Sequence, residues 1–572
     1  MKGAAMDKAI YDFINSPNTF DFIIRRTDYL DSFENDKNIM VSQTLKGRYD
    51  LCYTDISYLP EIQQILGTSF ISSTSILLGI QDTLHLDTAG IIPVQYQPYL
   101  DLKGNGVIIG FVDTGIDFTQ KIFRYEDGTS KILYIYDQSE KSENPPDGFY
   151  IGTEYSNEQI NKALSLENPY DAVHQRDTSG HGTFLASVAA GRSDSYDFSG
   201  AAPDSEIIAV KLKKAREFYL NRYAISSDTN DVFESNAVIL GVEYIVKKAK
   251  QLGKPVVICL GLGTNFGSHD GFSIFEEYLS SISNIRGVCI CNAAGNECQT
   301  RHHMQGKIDK NIKSANIDVK VGTNGGNVYL TIWNSASDIM SASVRSPTGE
   351  IVGRLSARSG NTITQKLVLE PSVVSIEYFF PLEGSGDQLT VVRIYDATPG
   401  IWTVTVFGDY ILNGVFDSWL PLVDFSSKGT EFLSPTPYGT ITVPATMIGS
   451  ISCGAYDHLN NSLYFQSSWG PTRSLAMAPD IIAPGVKITG YYPTGLGAMS
   501  GTSVSSAITA GACALLMQWG VILGNDPSLS TYQIKTYLIR GCTRNETMSY
   551  PNTQWGYGTL NLIQTFYRLR EV

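Results

Sequence analysis

The sequence predicts an α/β fold on a parallel sheet, preceded by a small α+β unit and interrupted by an all-β unit. Continuous apolar runs, which suit strands buried on both faces of a parallel sheet, alternate with helical stretches. In the middle of the chain, short β-rich runs separated by turn residues replace this pattern. The length of 572 residues also exceeds the roughly 250–300 residues at which a single core stops growing.

Composition excludes several classes of protein. Hydrophobic residues make up 42% and charged residues only 17%, which argues against a disordered chain or a coiled coil. The net charge of −14 leaves no basic footprint, so we expect no nucleic-acid partner. Because no apolar run approaches the roughly 20 residues that cross a bilayer, we expect no membrane span. We see no secretory signal, and the eight cysteines look like buried free thiols of a reducing compartment.

Three units follow along the chain. Residues 1–95 combine apolar segments with a helix-like stretch and suit a small α+β module. Residues 96–304 and 436–572 carry the alternation of strands and helices that builds βαβ units. Between them, residues 305–435 contain β-rich runs at roughly 8–12-residue spacing, which is typical of an antiparallel sandwich or barrel. We therefore predict a β domain inserted into a split α/β domain.

Three short segments carry residues suited to catalysis. Asp113 closes a predicted strand, His181 lies in the sequence Ser-Gly-His-Gly-Thr at 179–183, and Ser503 opens a predicted helix after Gly-Thr at 501–502. Strand ends and helix starts gather at one edge of an open α/β sheet, so these three side chains can meet there.

The chemistry that suits them is nucleophilic acyl transfer. A serine hydroxyl becomes a good nucleophile when a histidine takes its proton, and a buried carboxylate fixes the tautomer of that histidine. A helix N-terminus also offers free N–H groups to an oxyanion. Asn296, shortly after the predicted strand at 288–291, can donate its side-chain amide to the same oxyanion. Taken singly, each of these residues is more often a cap or a polar residue at a helix start; their order and context together favour catalysis.

These motifs resemble the subtilisin-like serine peptidases (subtilases), which share the chain order Asp, His, Asn, Ser. Further segments resemble the family: Gly-Ala-Ala-Pro at 200–203, Ser-Trp-Gly-Pro-Thr at 468–472, 479–485 and 555–561. The resemblance covers about 100–300 and 436–565, and it implies a three-layer subtilisin-like fold. It also implies a triad of Asp113, His181 and Ser503, with Asn296 as the oxyanion donor.

The resemblance implies a substrate cleft as well. Leu260, Gly261 and Leu262 would form an edge that pairs with extended substrate backbone. One wall of the pocket for the residue before the cut would be lined by Ala293, Ala294 and Gly295. Residues 1–95 resemble a propeptide that assists folding and occupies the cleft, with self-cleavage between about 75 and 97.

A narrower resemblance is to the Csp germination proteases of clostridia. Residues 111–116, 127–133, 136–138, 267–271 and 515–520, together with the β insertion, carry it. It implies a jelly-roll insertion that clamps the other parts and a propeptide retained in the cleft. It also implies a spore cortex-lytic pro-enzyme as substrate. The location it implies is the mother cell or forespore, then the spore coat or cortex.

The sequence departs from the family at two places. The usual proline after the nucleophile is replaced in Val-Ser-Ser-Ala at 504–507, which should leave the chemistry intact. The position of a calcium-binding carboxylate holds Ile122, and the nearby loop keeps only Asp194, so calcium is not predicted. We predict no metal at His302, His303 and Cys298, because zinc needs four well-spaced ligands. We interpret this histidine pair as part of a loop, and Cys259, Cys289 and Cys291 as core thiols.

These observations predict a monomeric serine endopeptidase that processes its own propeptide, needs no cofactor and acts on a protein or peptide. The alternative is a pseudoprotease-like or self-inhibited protein with the same fold that binds or signals. The intact Asp113, His181 and Ser503 argue against a pseudoprotease, whereas a cleft permanently blocked by residues 75–97 would still leave the folded protein inert.

Overall fold

The structure is a computed structural model in which residues 8–25, 37–45, 48–75, 77–80, 86–141, 144–192, 198–309 and 311–570 are described. A mixed central sheet lies between two layers of helices. A small N-terminal sheet packs against one of these layers, and two antiparallel sheets form the insertion.

The N-terminal unit combines short helices with an antiparallel sheet in the order β1-β3-β2. Its elements are α1 (Lys8–Ile14), β1 (Thr19–Arg25), β2 (Ile39–Leu45), β3 (Tyr49–Asp55), α2 (Leu59–Leu66), α3 (Phe70–Ser73), β4 (Leu77–Ile80) and α4 (Ile91–Tyr96). Strand β1 is buried on both faces because Phe20 and Phe22 pack against Ile62 of α2, while Ile23 faces the other way.

The first part of the α/β unit supplies most of the central sheet. Its elements are β5 (Ile108–Asp113), β6 (Ile132–Asp137), β7 (Thr153–Ser156), α5 (Asn157–Leu164), α6 (His181–Ala190), β8 (Glu206–Lys211), α7 (Glu217–Arg222), β9 (Phe233–Glu234), α8 (Ser235–Leu252), β10 (Val256–Leu260), β11 (Leu262–Gly263), α9 (Ile274–Ser283) and β12 (Val288–Ala293).

The insertion consists of strands that pair antiparallel. They are β13 (His303–Lys307), β14 (Ser314–Val321), β15 (Gly326–Asn334), β16 (Ile339–Arg345), β17 (Ile351–Leu355), β18 (Thr362–Lys366), β19 (Val373–Phe379), β20 (Gln388–Ala397), β21 (Gly400–Tyr410), β22 (Val415–Trp419) and β23 (Glu431–Phe432). One sheet has the order β13-β22-β15-β20-β19-β18, the other β17-β16-β21-β14-β23. Their inner faces share one apolar core that includes Trp402 and Tyr378. That the insertion is a jelly roll remains a prediction.

The chain then returns to the central sheet. The remaining elements are β24 (Ile451–Asp457), β25 (Ser462–Leu463), β26 (Ile481–Pro484), β27 (Ile488–Tyr492), β28 (Gly495–Met499), α10 (Thr502–Met517), α11 (Thr531–Gly541) and α12 (Leu562–Leu569). The sheet order is β25-β24-β12-β10-β5-β8-β6-β7, with β26 also on β24. The sheet is mixed rather than wholly parallel, since β7 and β25 pair antiparallel with their neighbours.

The two faces of the central sheet bury alternate residues against different helices. Ile109 and Phe111 of β5 pack toward α6 and α10, whereas Ile108 and Val112 pack toward α8 and α9. This alternation follows from the period of two in a β-strand. The continuous apolar runs in the sequence therefore come from strands covered on both sides.

A third apolar cluster joins the three units. Phe20 and Phe22 of the N-terminal unit, Tyr223 and Phe266 of the α/β unit, and Trp419 of the insertion belong to it. The α/β unit and the insertion also share hydrogen bonds, such as that from the Arg393 Nε to the Arg222 carbonyl at 3.0 Å. The low charge of the sequence is consistent with this burial between units.

One helix contradicts the expectation that no segment has the length and composition to span a bilayer. Within the described residues, Thr502–Ile522 is long and apolar enough by these criteria alone. It is α10 with its continuation, and 83% of its most apolar window is buried inside the protein. Its apolar character is that of the central core helix, because its side chains pack on the sheet.

Candidate active site

Three polar side chains from distant parts of the chain meet at the carboxyl edge of the central sheet. Asp113 is the last residue of β5, His181 is the first of α6, and Ser503 is the second of α10. Each stands where a strand ends or a helix begins, because these ends converge on one edge of an open α/β sheet.

The three side chains form a continuous hydrogen-bonded line. The His181 Nδ1 lies 2.8 Å from the Asp113 Oδ1, and the His181 Nε2 lies 3.3 Å from the Ser503 Oγ. The second distance is slightly longer than a tight hydrogen bond, as is common before substrate binds. All three residues are at most 2% exposed. The imidazole can therefore accept the serine proton on one side while the carboxylate holds it on the other.

Asp177 fixes the end of β5 relative to the start of α6, and the sequence analysis assigned it no role. Its Oδ1 accepts hydrogen bonds from the Thr114 hydroxyl and the Gly180 N–H, both at 2.8 Å. Its Oδ2 accepts from the Thr183 N–H at 2.9 Å and from the Thr183 hydroxyl at 2.6 Å. An acidic residue just before a predicted helix is a signal that could have indicated this contact.

Asn296 lies beside the N-terminus of α10. Its Oδ1 accepts hydrogen bonds from the Thr502 N–H at 3.1 Å and the Thr502 hydroxyl at 3.2 Å. A backbone N–H can only donate, so the amide oxygen must face Thr502 and the NH₂ group must point elsewhere. That NH₂ group donates to no other described residue, and Asn296 is only half-buried.

A strand of the N-terminal unit lies in the cleft beside these residues. Strand β4 pairs antiparallel with β11 on one side and with β9 on the other. In the backbone register, Ile80 is paired with Leu262 and Leu78 with Phe233. The sequence predicted the strand edge at Leu262 in β11. It gave no sign of the edge at β9, because a strand of two residues has no periodic pattern.

Gly261 connects the predicted edge to the triad. It follows Leu260, the last residue of β10, and precedes Leu262. A Cβ on Gly261 would lie 3.1 Å from the His181 Cε1 and 3.2 Å from the Ser503 Cβ. The strand edge thus runs directly past the side chains that would react.

The segment predicted as a pocket wall follows β12. Ala293 ends that strand, and the Ala294 carbonyl accepts a hydrogen bond from the Thr442 N–H at 2.9 Å. A Cβ on Gly295 would lie 2.8 Å from the Thr442 Cγ2. Thr442 is fully buried and lies against this segment. The sequence analysis missed Thr442, because the whole insertion separates it from Gly295.

Two buried ionisable groups flank the site. Burial raises the pKa of the Glu297 carboxyl, which accepts a hydrogen bond from the Asn265 amide at 2.9 Å. Burial also raises the pKa of the Cys259 thiol to about 12, so this thiol stays protonated. Cys259 is therefore a poor nucleophile beside the triad.

The residues considered as metal ligands have other surroundings. Ile122 is buried and apolar, and Asp194 lies outside the described residues. The loop prediction for the histidine pair is wrong for His303, which begins β13. Both rings of the pair are buried, and their nitrogens contact oxygen atoms of residues 417–438.

The fold and the site define an α/β protein in which an aspartate, a histidine and a serine meet at the carboxyl edge of the sheet, with a strand of the N-terminal unit beside them. A family model described as the subtilase family matches residues 104–364 and 429–558, about two thirds of the chain. The chain belongs to the subtilase family of serine endopeptidases.

Individual relatives agree with this assignment. The solved structure of the CspB protease of Clostridium perfringens matches with a TM-score of 0.75 and 32% identity, covering 85% of this chain and 100% of that one. The PII-type proteinase of Lacticaseibacillus paracasei is 23% identical over 485 residues, 75% of this chain and 23% of that protein. Subtilisin Savinase of Lederbergia lenta is 33% identical over 125 residues, 22% of this chain and 40% of that protein. The chain thus spans less than half the length of these two curated relatives.

Proposed function

We propose that Ser503, His181 and Asp113 act as the catalytic triad of an active endopeptidase. The observation that carries this proposal is the position of the His181 ring between the Asp113 carboxylate and the Ser503 hydroxyl. Ser503 attacks the peptide carbonyl while the His181 Nε2 takes its proton. His181 then gives this proton to the leaving amine, and water hydrolyses the acyl-enzyme by the same route.

Asn296 and the Ser503 N–H stabilise the oxyanion of the tetrahedral intermediate. The Asn296 oxygen is occupied by Thr502, which leaves its NH₂ group to donate. The Ser503 N–H lies at the N-terminus of α10, where backbone donors have no partner within the helix. In subtilisin, loss of one such donor costs about 2.7–4 kcal/mol in the transition state.

Substrate binds as an extended strand between β9 and β11, in the place that β4 takes. Backbone hydrogen bonds to Leu262 and Phe233 would then hold the segment before the cut. The residue at the cut would enter the pocket lined by Ala293, Ala294 and Gly295. Thr442 packs against Gly295, and its hydroxyl donates to the Ala294 carbonyl at 3.3 Å. This close packing favours a residue of modest size.

We infer that the chain cuts itself between Gln81 and Asp82. The register pairs Gly79 with Gly263 and Ile80 with Leu262, and Gln81 follows Ile80 in the sequence. The family resemblance places self-cleavage between about 75 and 97. Residues 81–85 of that range lie outside the described part of the chain, so the inference rests on the register of β4 and on the sequence that follows it. We expect N-terminal sequencing of the large fragment to begin at Asp82 in the wild type. A different first residue, or the same cut in Ser503→Ala, would contradict this assignment.

The rival function is a folded but inert protein whose cleft β4 keeps closed. Labelling with a fluorophosphonate probe separates the two functions, because the probe reacts only with an activated serine. We expect the wild type and Ser500→Ala, a control three residues earlier in the chain, to be labelled, and Ser503→Ala to remain unlabelled. An unlabelled wild type that has cut itself would mean that the retained strand blocks the site; an unlabelled, uncut wild type would overturn the peptidase proposal.

The similarity to the CspB protease supports a narrower role. Following the resemblance to the Csp germination proteases, we propose that the physiological substrate is a protein such as a spore cortex-lytic pro-enzyme, met in the spore. The N-terminal unit stays bound after cleavage, supported by its burial against α8, α9 and the insertion. The test is incubation of the pro-enzyme with the wild type and with Ser503→Ala; the wild type alone should shorten it.

A further inference from the structure

Three buried sulfur atoms lie between the central sheet and helix α10, away from the triad. Cys289 and Cys291 belong to β12 and Cys513 belongs to α10, and all three are 0% exposed. Their Sγ atoms all lie within 4.8 Å of one another, and those of Cys291 and Cys513 are 3.7 Å apart. Among the described residues, this is the only such grouping of candidate metal ligands.

The local structure explains why the three thiols converge. Cys289 and Cys291 are two residues apart on one strand, so their side chains point to the same face of the sheet. Helix α10 packs on that face, in the same apolar cluster. Cys513 lies ten residues after Ser503, which is nearly three helical turns along α10 and about 15 Å away from the nucleophile along the axis. The sequence predicted Cys289 and Cys291 to be core thiols, but it did not predict that Cys513 lies beside them.

Neighbouring cysteines have different partners. The Cys259 sulfur lies 3.7 Å from the Ser506 hydroxyl, and the Cys453 sulfur lies 3.5 Å from the Ile451 carbonyl. The Thr531 hydroxyl accepts a hydrogen bond from the Ile290 N–H at 3.2 Å and also contacts the Cys289 thiol. The sulfurs that lie close enough to bind one ion are those of Cys289, Cys291 and Cys513.

We propose that Cys289, Cys291 and Cys513 form a structural site for one thiophilic metal ion of the Zn²⁺, Cd²⁺ or Cu⁺ class. Two sulfurs at about 2.3 Å from one zinc ion lie about 3.8 Å apart in a tetrahedral arrangement, close to the distance between Cys291 and Cys513. Soft sulfur ligands select this class of ion. Each thiol that binds the ion loses its proton to solvent, and no oxidant or reductant is needed.

All three thiols are fully buried, so each one that binds a metal ion must first lose its proton. The thiolate is the form that binds metal. A cation at this point would also neutralise a negative charge that is costly to bury.

The metal site would stabilise the fold and would take no part in the peptidase reaction. The ion would join β12, which leads to Asn296, to α10, which begins beside Ser503. Because all three sulfurs are fully buried in an apolar cluster, substrate cannot reach the ion. Its loss is expected to lower the melting temperature while the proposed triad keeps its geometry.

Metal content of the full-length chain tests the inference. The protein is produced with added zinc, freed of loose metal by gel filtration, and unfolded in the presence of a chromogenic zinc indicator. We expect about one zinc ion per wild-type chain and per Cys298→Ser chain. Cys298 is a buried thiol outside the cluster and serves as the matched control. Cys513→Ser and Cys289→Ser should each fall to background.

Cadmium gives a second measurement that does not depend on the variants folding. Wild type produced with Cd²⁺ should show an ultraviolet sulfur-to-cadmium charge-transfer band. The absorbance of this band per cadmium ion should correspond to three thiolates. Absence of both zinc and the cadmium band in the wild type would overturn the site. Equal zinc in the wild type and in a folded Cys513→Ser variant would also overturn it, since other thiols would then hold the metal. Neither measurement uses peptidase activity, so the result is independent of the proposed function.

Discussion

Asp113→Asn is expected to slow self-cleavage by roughly 10⁴-fold while the chain still folds. The amide keeps the shape of the carboxylate but can donate its N–H to the His181 Nδ1. The imidazole would then carry its proton on Nε2, the atom that must accept the Ser503 proton. In subtilisin, removal of the aspartate lowers kcat by about 3 × 10⁴, and removal of the serine or histidine by about 2 × 10⁶.

The measurement is the fraction of uncut chain over time, read on a denaturing gel. His181→Ala should be slower still, because without it no base accepts the proton. Asp127→Asn, a fully exposed carboxylate in the same unit, is the matched control and should be cut like the wild type. Processing of Asp113→Asn at the wild-type rate would mean that another group orients His181.

Arg216→Met is expected to release the N-terminal unit from the cleaved protein. The Arg216 guanidinium forms ion pairs with Asp21 of the N-terminal unit and with Glu234 of the β9 wall, the latter at 2.9 Å. Asp21 and Glu234 are both buried, and the Asn236 amide also donates to Asp21 at 2.9 Å. Breaking a buried ion pair by removing one partner costs about 3–5 kcal/mol, since the other charge is left without compensation.

Such a loss weakens binding by roughly 10²- to 4 × 10³-fold, which co-elution of the two fragments in gel filtration can detect. We expect the wild-type fragments to elute together and the Arg216→Met fragments to separate. Arg286→Met, at an exposed arginine of the α/β unit, is the control. Adding Asp21→Asn to Arg216→Met should restore part of the binding, because it removes the uncompensated charge. Co-elution of the Arg216→Met fragments at the wild-type level would refute the role of this ion pair.

Acid should weaken the same contact. Burial alone would raise the pKa of the Glu234 carboxyl, but Arg216 and Lys213 hold it below its ordinary value of 4.5. A carboxyl whose folded pKa is lowered stabilises the assembly fully above the unfolded value. This stabilisation is lost as the pH falls through the folded value, so the fragments should separate increasingly as the pH falls below 4.5.

The sequence alone determined the class of the fold and indicated which residues meet at the carboxyl edge of the sheet. Apolar runs such as 107–112 identify strands covered on both faces, because only such strands dispense with polar residues. The helix starts at His181 and Ser503 and the strand end at Asp113 are local features, set by turns and capping within a few residues. These local features explain why the predicted residues lie together at one sheet edge.

Only the tertiary structure decided which distant segments meet. Three features depend on contacts between residues more than a hundred positions apart. They are the pairing of β4 with β9, the packing of Thr442 against Gly295, and the grouping of Cys513 with Cys289 and Cys291. Short strands and single side chains carry no periodic signal, and their partners are chosen by the packing of the whole chain. The physical reason is that local sequence sets backbone conformation, whereas long-range contacts form only where the assembled layers bring surfaces together.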